Sequence, residues 1–147
     1  MRKRDRREFE RYVRACADML ELRDWSTRVD WGQPDTPPRV DSATMQWNAS
    51  SESIPGRKAV VLTFPFECRD WDLDELRQTV AHELLHAHVA PMWEMVRVDL
   101  HEHMVQATYD VFADGFRRWL EYGVDAMADI AVKNLPLIDW PAPKESR

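Results

Sequence analysis

The stretch Val80-Ala81-His82-Glu83-Leu84-Leu85-His86 organises the reading of this chain. Residues i and i+4 of an α-helix differ by roughly 40° in azimuth, so His82 and His86 project from one face, a turn apart. Two ring nitrogens so placed reach a single ion at about 2.0–2.1 Å. Glu83 stands roughly 100° round from His82, out of line for a third ligand but close enough to hydrogen-bond a metal-bound water. A general base belongs there, because zinc lowers the pKa of its water to about 7 and a carboxylate accepts the proton. The surrounding residues give the pair a buried setting. Leu73, Leu76, Val80, Leu84 and Ala87 form one apolar stripe, with Leu85 and Val89 on the other flank. Two imidazoles in such a helix are poorly accommodated without a shared partner, and the expected partner is one zinc ion.

Working outward, Asp72 is an N-cap with Glu75 three residues on, and the helix is expected to run to about Ala90, where Pro91 ends it. Before it, Ala59–Phe64 is short, apolar and β-branched, the best strand in the chain. Trp25–Trp31 and Val40–Asn48 read as two further strands, and Ala49–Gly56 as a polar turn. Residues 6–23 carry Phe9, Val13 and Cys16 at helical spacing. A last long helix is expected over about Val98–Tyr122, weakened at Gly123 and resumed over Val124–Lys133. Its core stripe is set by Val98, Val105, Tyr109, Phe112, Phe116 and Trp119. The order of helix, three strands and two helices gives an α+β class, with the proline-bearing residues 136–147 as a surface strap.

The chain has 147 residues, enough for one domain, 1–147. Its 44% apolar content, with seven Trp and five Phe, supports a packed core. The tryptophans are dispersed and read as core anchors. No apolar run approaches the roughly 20 residues that cross a bilayer, and the basic start lacks the apolar segment of a secretory signal, so a cytoplasmic protein with no membrane partner is expected. Cys16 and Cys68 stand in no metal-type spacing and read as buried thiols. The formal charge of −6 divides unevenly: residues 1–11 carry six basic and three acidic side chains, and the remainder is acidic. That acidic body makes nucleic acid an unlikely partner.

HExxH over His82, Glu83 and His86, on the helix after the best strand, resembles the signature of the zincin metallopeptidases. The resemblance follows the order of elements over roughly residues 25–122 and is closest to small, minimal zincins, including those of phage and bacterial genomes. It implies a minimal zincin-like domain: N-terminal helix, three-stranded sheet, HExxH helix, long C-terminal helix. It also implies an edge strand before the motif helix that pairs with extended peptide, here Lys58–Phe64 or its neighbour.

A catalytic zinc takes three protein ligands and a water. The extended pattern HExxHxxGxxH fails, since Val89 and Met92 stand where its glycine and third histidine belong. His88 points roughly 160° from where a partner of His86 would lie and reads as a surface histidine. The next candidates are Asp99, His101, Glu102, His103 and Asp110. A glutamate from a following helix completes the site in gluzincins, and by that resemblance Glu102, sixteen residues past His86, is the first choice. His101 is the second, as three-histidine SprT-like proteases would have it. Glu102 also has a second reading, less favoured, as part of a capping box with Asp99. Tyr109, on the same face, is a candidate oxyanion stabiliser or simply a core aromatic.

The expected activity is zinc-dependent hydrolysis of peptide bonds in a peptide or protein substrate, with Glu83 as general base. The alternative is a catalytically silent zincin-like binding or assembly protein with a structural metal. A zinc endoribonuclease fits less well, because it lacks the adjacent glutamate and would want a basic body. A protease acting on DNA-bound proteins would also want more basic surface than residues 1–11 supply.

Overall fold

The computed structural model describes residues 2–32 and 49–139. It is an α+β protein of three helices and one three-stranded mixed sheet. The elements are α1 (Lys3–Met19), β1 (Ser26–Trp31), β2 (Ser50–Ile54), β3 (Ala59–Phe64), α2 (Leu73–Glu94) and α3 (Gln106–Ala131). Among the described residues no helix is long and apolar enough to cross a membrane. The expected strand at Val40–Asn48, Trp47, and the strap from Trp140 onward lie outside the described residues.

The sheet order is β1-β3-β2, with β1 parallel and β2 antiparallel to β3. β3 is therefore central, as its apolar, β-branched sequence fits, and Lys58–Phe64 is not an edge. The edges are β1 and β2, and β2 was expected to be a turn. Ser50-Ser51-Glu52-Ser53-Ile54 is polar because it has one sheet neighbour, and its register against β3 runs from Ser50↔Thr63 to Ile54↔Ala59. Val60, Leu62 and Phe64 alternate onto the buried face of β3, and cross-strand pairing puts Thr27, Val29, Trp31, Ser51 and Ser53 on the same face.

α1 and α2 cover that face. Phe9 of α1 meets Phe64 edge-on at 4.8 Å and Trp31 at 5.4 Å. Leu76, Val80, Leu84 and Ala87 of α2 are fully buried beside them, whereas Leu73 is exposed. Trp25, Trp31 and Trp71 pack partly buried on this core, and Cys16 and Cys68 are buried free thiols within it.

Two helix boundaries differ from expectation. Asp72 caps α2 by accepting hydrogen bonds from Asp74 and Glu75 N–H, but the helix passes through Pro91 to Glu94 and widens into a π-helical turn over Met95–Leu100. Pro91 removes one helical hydrogen bond; burial of Val96 just beyond keeps the chain helical in compensation. The last helix begins only at Gln106, after a 3-10 turn over His101–His103, and runs without a break through Gly123.

The second difference concerns which side of α3 is inside. Ala113, Val124 and Ala128 are its buried residues. The aromatic stripe assigned to the core faces outward instead: Phe112 and Trp119 are exposed, Phe116 and Tyr109 half-buried. Small side chains let α3 lie close to α2, which the aromatics would prevent.

Asp5 is one of two buried acidic residues described, and it is fully buried. Burial pushes its carboxyl up, but hydrogen bonds from the Arg2 backbone N–H and guanidinium, with the charges of Arg2 and Arg69, outweigh this and hold it below the usual carboxylate range. A depressed native pKa gives stability that is present above the unfolded value near 3.8 and lost as pH falls through the native one. Asp5→Asn is expected to lower stability by about 1–3 kcal/mol at neutral pH. In denaturant melts the gap to wild type should close below about pH 4.

Candidate metal centre

The motif residues lie mid-helix in α2, where the fully helical backbone fixes their directions. His82 and His86 are part-buried, with Nε2 atoms 3.0 Å apart. Glu83 is buried and lines the same cavity.

α3 supplies what faces them. It runs antiparallel to α2, and two rows spaced by four residues meet. Gln78, His82 and His86 on α2 oppose Asp129, Asp125 and Glu121 on α3. Gln78 Nε2 donates to Asp129 Oδ1 at 2.8 Å. His82 Nδ1 lies 2.8 Å from Asp125 Oδ1. Glu121 Oε2 lies 3.5 Å from His82 Nε2 and 3.7 Å from His86 Nε2. Beyond the last rung, Arg77 Nη2 donates to the carbonyls of Val132 and Leu135 at 2.7 and 3.1 Å, tying the C-terminal end of α3 to α2.

His82, His86 and Glu121 form a group that could hold a metal ion. Three ligand atoms each about 2.0–2.1 Å from a tetrahedral ion stand roughly 3.3 Å from one another. The triangle of 3.0, 3.5 and 3.7 Å brackets that edge with no backbone movement required. Two imidazoles and a carboxylate are a donor set that divalent metal ions accept.

Asp125 completes the arrangement from behind. Its Oδ1 stands 2.8 Å from His82 Nδ1, while the other ring nitrogen of His82 faces Glu121 and His86. A carboxylate behind a ligating histidine fixes its tautomer and raises its basicity. Burial alone would push the His82 imidazole pKa down. The hydrogen bond to Glu121 and the charges of Glu83, Asp125 and Glu121 outweigh it, and the net shift is upward. Three carboxylates around two imidazoles make a pocket that favours a cation.

The cavity in front of this group measures about 670 Å³. One wall is α2, from Glu75 past the histidines to Val89 and Trp93; another is α3, with Arg117, Leu120 and Glu121. Ser50, Ser51 and Ser53 of the edge strand close it, and the Ser51 and Ser53 hydroxyls are buried with no hydrogen-bond partner among the described residues.

Of the expected site residues, His82, Glu83 and His86 come together. Glu102 and His101 do not join them. Both are exposed in the 3-10 turn, where His101 Nε2 contacts Gln106 Oε1 at 3.2 Å and its ring meets Tyr109 edge-on at 4.7 Å. Tyr109 is absent from the cavity lining. Asp99, His103 and Asp110 are exposed, and Asp110 accepts from Gln106. His88 is exposed as expected, with Nε2 2.7 Å from the Leu20 carbonyl. Glu121 and Asp125 were missed because they sit roughly 200° and 240° from Trp119 on the helix wheel, opposite the stripe read as core. A signal for them was present: carboxylates at 121, 125 and 129 repeat the four-residue spacing of Gln78, His82 and His86.

No family model, curated protein or solved structure matches this chain. The site therefore rests on its own geometry. Asp125→Ala is expected to weaken metal affinity about 10–100-fold, and Glu121→Ala to weaken it more, both read by competition with a chromophoric chelator. Glu102→Ala and His101→Ala should bind as wild type does.

Proposed function

We propose that the protein is a zinc-dependent peptidase of zincin type, with His82, His86 and Glu121 as metal ligands and Glu83 as general base. The observation that carries this reading is the meeting of Glu121 with the histidine pair while Asp125 backs His82. A buried glutamate adjacent to such a group supports catalysis over a purely structural role, which has no use for a base. Zinc, when bound, supplies a Lewis acid for the substrate carbonyl and a water of lowered pKa.

The protein's own residues do the rest. Glu83 takes a proton from the attacking water and passes it to the leaving amine. Asp125 keeps the His82 imidazole oriented throughout. The substrate lies extended in the cavity along β2, whose second edge has no strand neighbour among the described residues, and its backbone pairs with that edge. β2 thus takes the place that the sequence reading offered to Lys58–Phe64 or its neighbour.

The test combines elemental analysis with cleavage of an unfolded protein substrate. Wild type should hold about one zinc per chain and cleave. Glu83→Gln should keep the metal and lose about 10²–10⁴-fold in rate. Wild type that takes up no zinc on reconstitution would overturn the metal site. Zinc-loaded wild type that cleaves neither unfolded proteins nor mixed peptides would overturn the peptidase.

A further inference from the structure

The outward face of α3 is apolar over nearly its whole length. Trp119 is 75% exposed, Val111 75%, Ile130 67% and Tyr122 65%, with Phe112 and Val105 also exposed. Phe112 and Ile130 each fall within roughly 20° of Trp119 on the helix wheel, and Tyr122 within roughly 60°. They form one strip along a helix about 39 Å long. Solvated helices do not carry such strips, and contiguous exposed apolar patches mark interaction surfaces.

The composition of the strip says what covers it. Gly115 and Gly123 stand four residues before and four after Trp119. Neither has positive φ, and a Cβ at either would meet nothing within 4 Å. Nothing inside the chain requires glycine there, although each weakens the helix. A partner that approaches closely on both sides of Trp119 does require it. The strip also fits against itself: an antiparallel copy crossing at Trp119 sets Gly115 opposite Gly123, bulky Phe112 opposite small Ala126, and Phe116 opposite Tyr122. A two-fold interface needs this kind of self-complementarity.

Charge argues in the same direction. Arg118, the basic side chain nearer the strip, pairs with Asp114 at 2.9 Å, so the strip lacks the row of Lys and Arg that helices lying on anionic lipid carry. Trp119, Tyr122, Phe112 and the exposed aliphatic side chains beside them, counted at their exposed fractions of side-chain areas that reach about 150–250 Å² for aromatics, remove on the order of 600 Å² per protomer. The total of about 1,200 Å² is the lower end of specific interfaces.

We propose that the outer face of α3 is a homodimer interface, two copies packing antiparallel about a two-fold axis at Trp119. The metal ligands lie on the opposite side of α3, so both cavities stay open and face away from each other.

Sedimentation equilibrium of the full chain should give about twice the 17.4 kDa chain mass at high micromolar concentration. Trp119→Glu should raise the dissociation constant about 30-fold or more with the circular dichroism of wild type. Because that variant tests the strip but not the register, Gly115→Cys and Gly123→Cys chains supply a second measurement. Oxidised together they should form the mixed disulfide well above either chain alone. A monomeric wild type at that concentration overturns the proposal, including one that co-floats with anionic vesicles. So does a Trp119→Glu dimer of unchanged affinity. Preferential 115–115 linkage overturns the antiparallel register.

Discussion

The site depends on one constraint: how closely α3 can lie against α2. Glu121 and Asp125 meet His82 and His86 on the neighbouring helix because α3 lies against α2. Ala113, Val124 and Ala128 on the inner side of α3 permit that approach, and the ladder of Gln78–Asp129, His82–Asp125 and the two histidines with Glu121 is its result. Concentrating carboxylates there is electrostatically costly until a cation arrives.

The sheet plays the supporting part. Its buried face holds α2 through Val60, Leu62 and Phe64, and α1 packs on the same face through Phe9. β2 is polar on both counts that matter: its side chains face a cavity, and it lies outside β3. The same serines that weaken its strand signal also leave hydroxyls on the cavity wall.

Much of this was legible from residues alone. Asp72 announced the start of α2, the apolar run Ala59–Phe64 marked the central strand, and His82 and His86 declared a shared face, with Glu83 beside it, because helical geometry is local. What failed was not local. Pro91 is a helix breaker by its own chemistry, and burial of Val96 overrules it. Ser50–Ile54 has turn composition, and pairing to β3 makes it a strand. Most consequentially, hydrophobicity was taken as burial on α3. The side that packs is the one with alanines, and the aromatic side is solvent-facing within the single chain. That inversion hid Glu121 and Asp125 and directed the search for a third ligand to Glu102 and His101.

The clamp from Arg77 to the carbonyls of Val132 and Leu135, just past the end of α3, has a further meaning. Sliding α3 by one residue would turn Glu121 by roughly 100° and carry it 1.5 Å along the axis, out of reach of both imidazoles. With the register held at the far end of the helix, the connecting path from Ala87 to Arg117 is relieved of that duty. Its length is set by what it must cover and not by the distance between ligands. In a chain built this way, the number of residues separating HExxH from the glutamate is free to drift, so a fixed-spacing pattern is a poor net for such proteins. The spacing conserved by physics is the one within each helix: four residues from His82 to His86, and four from Glu121 to Asp125.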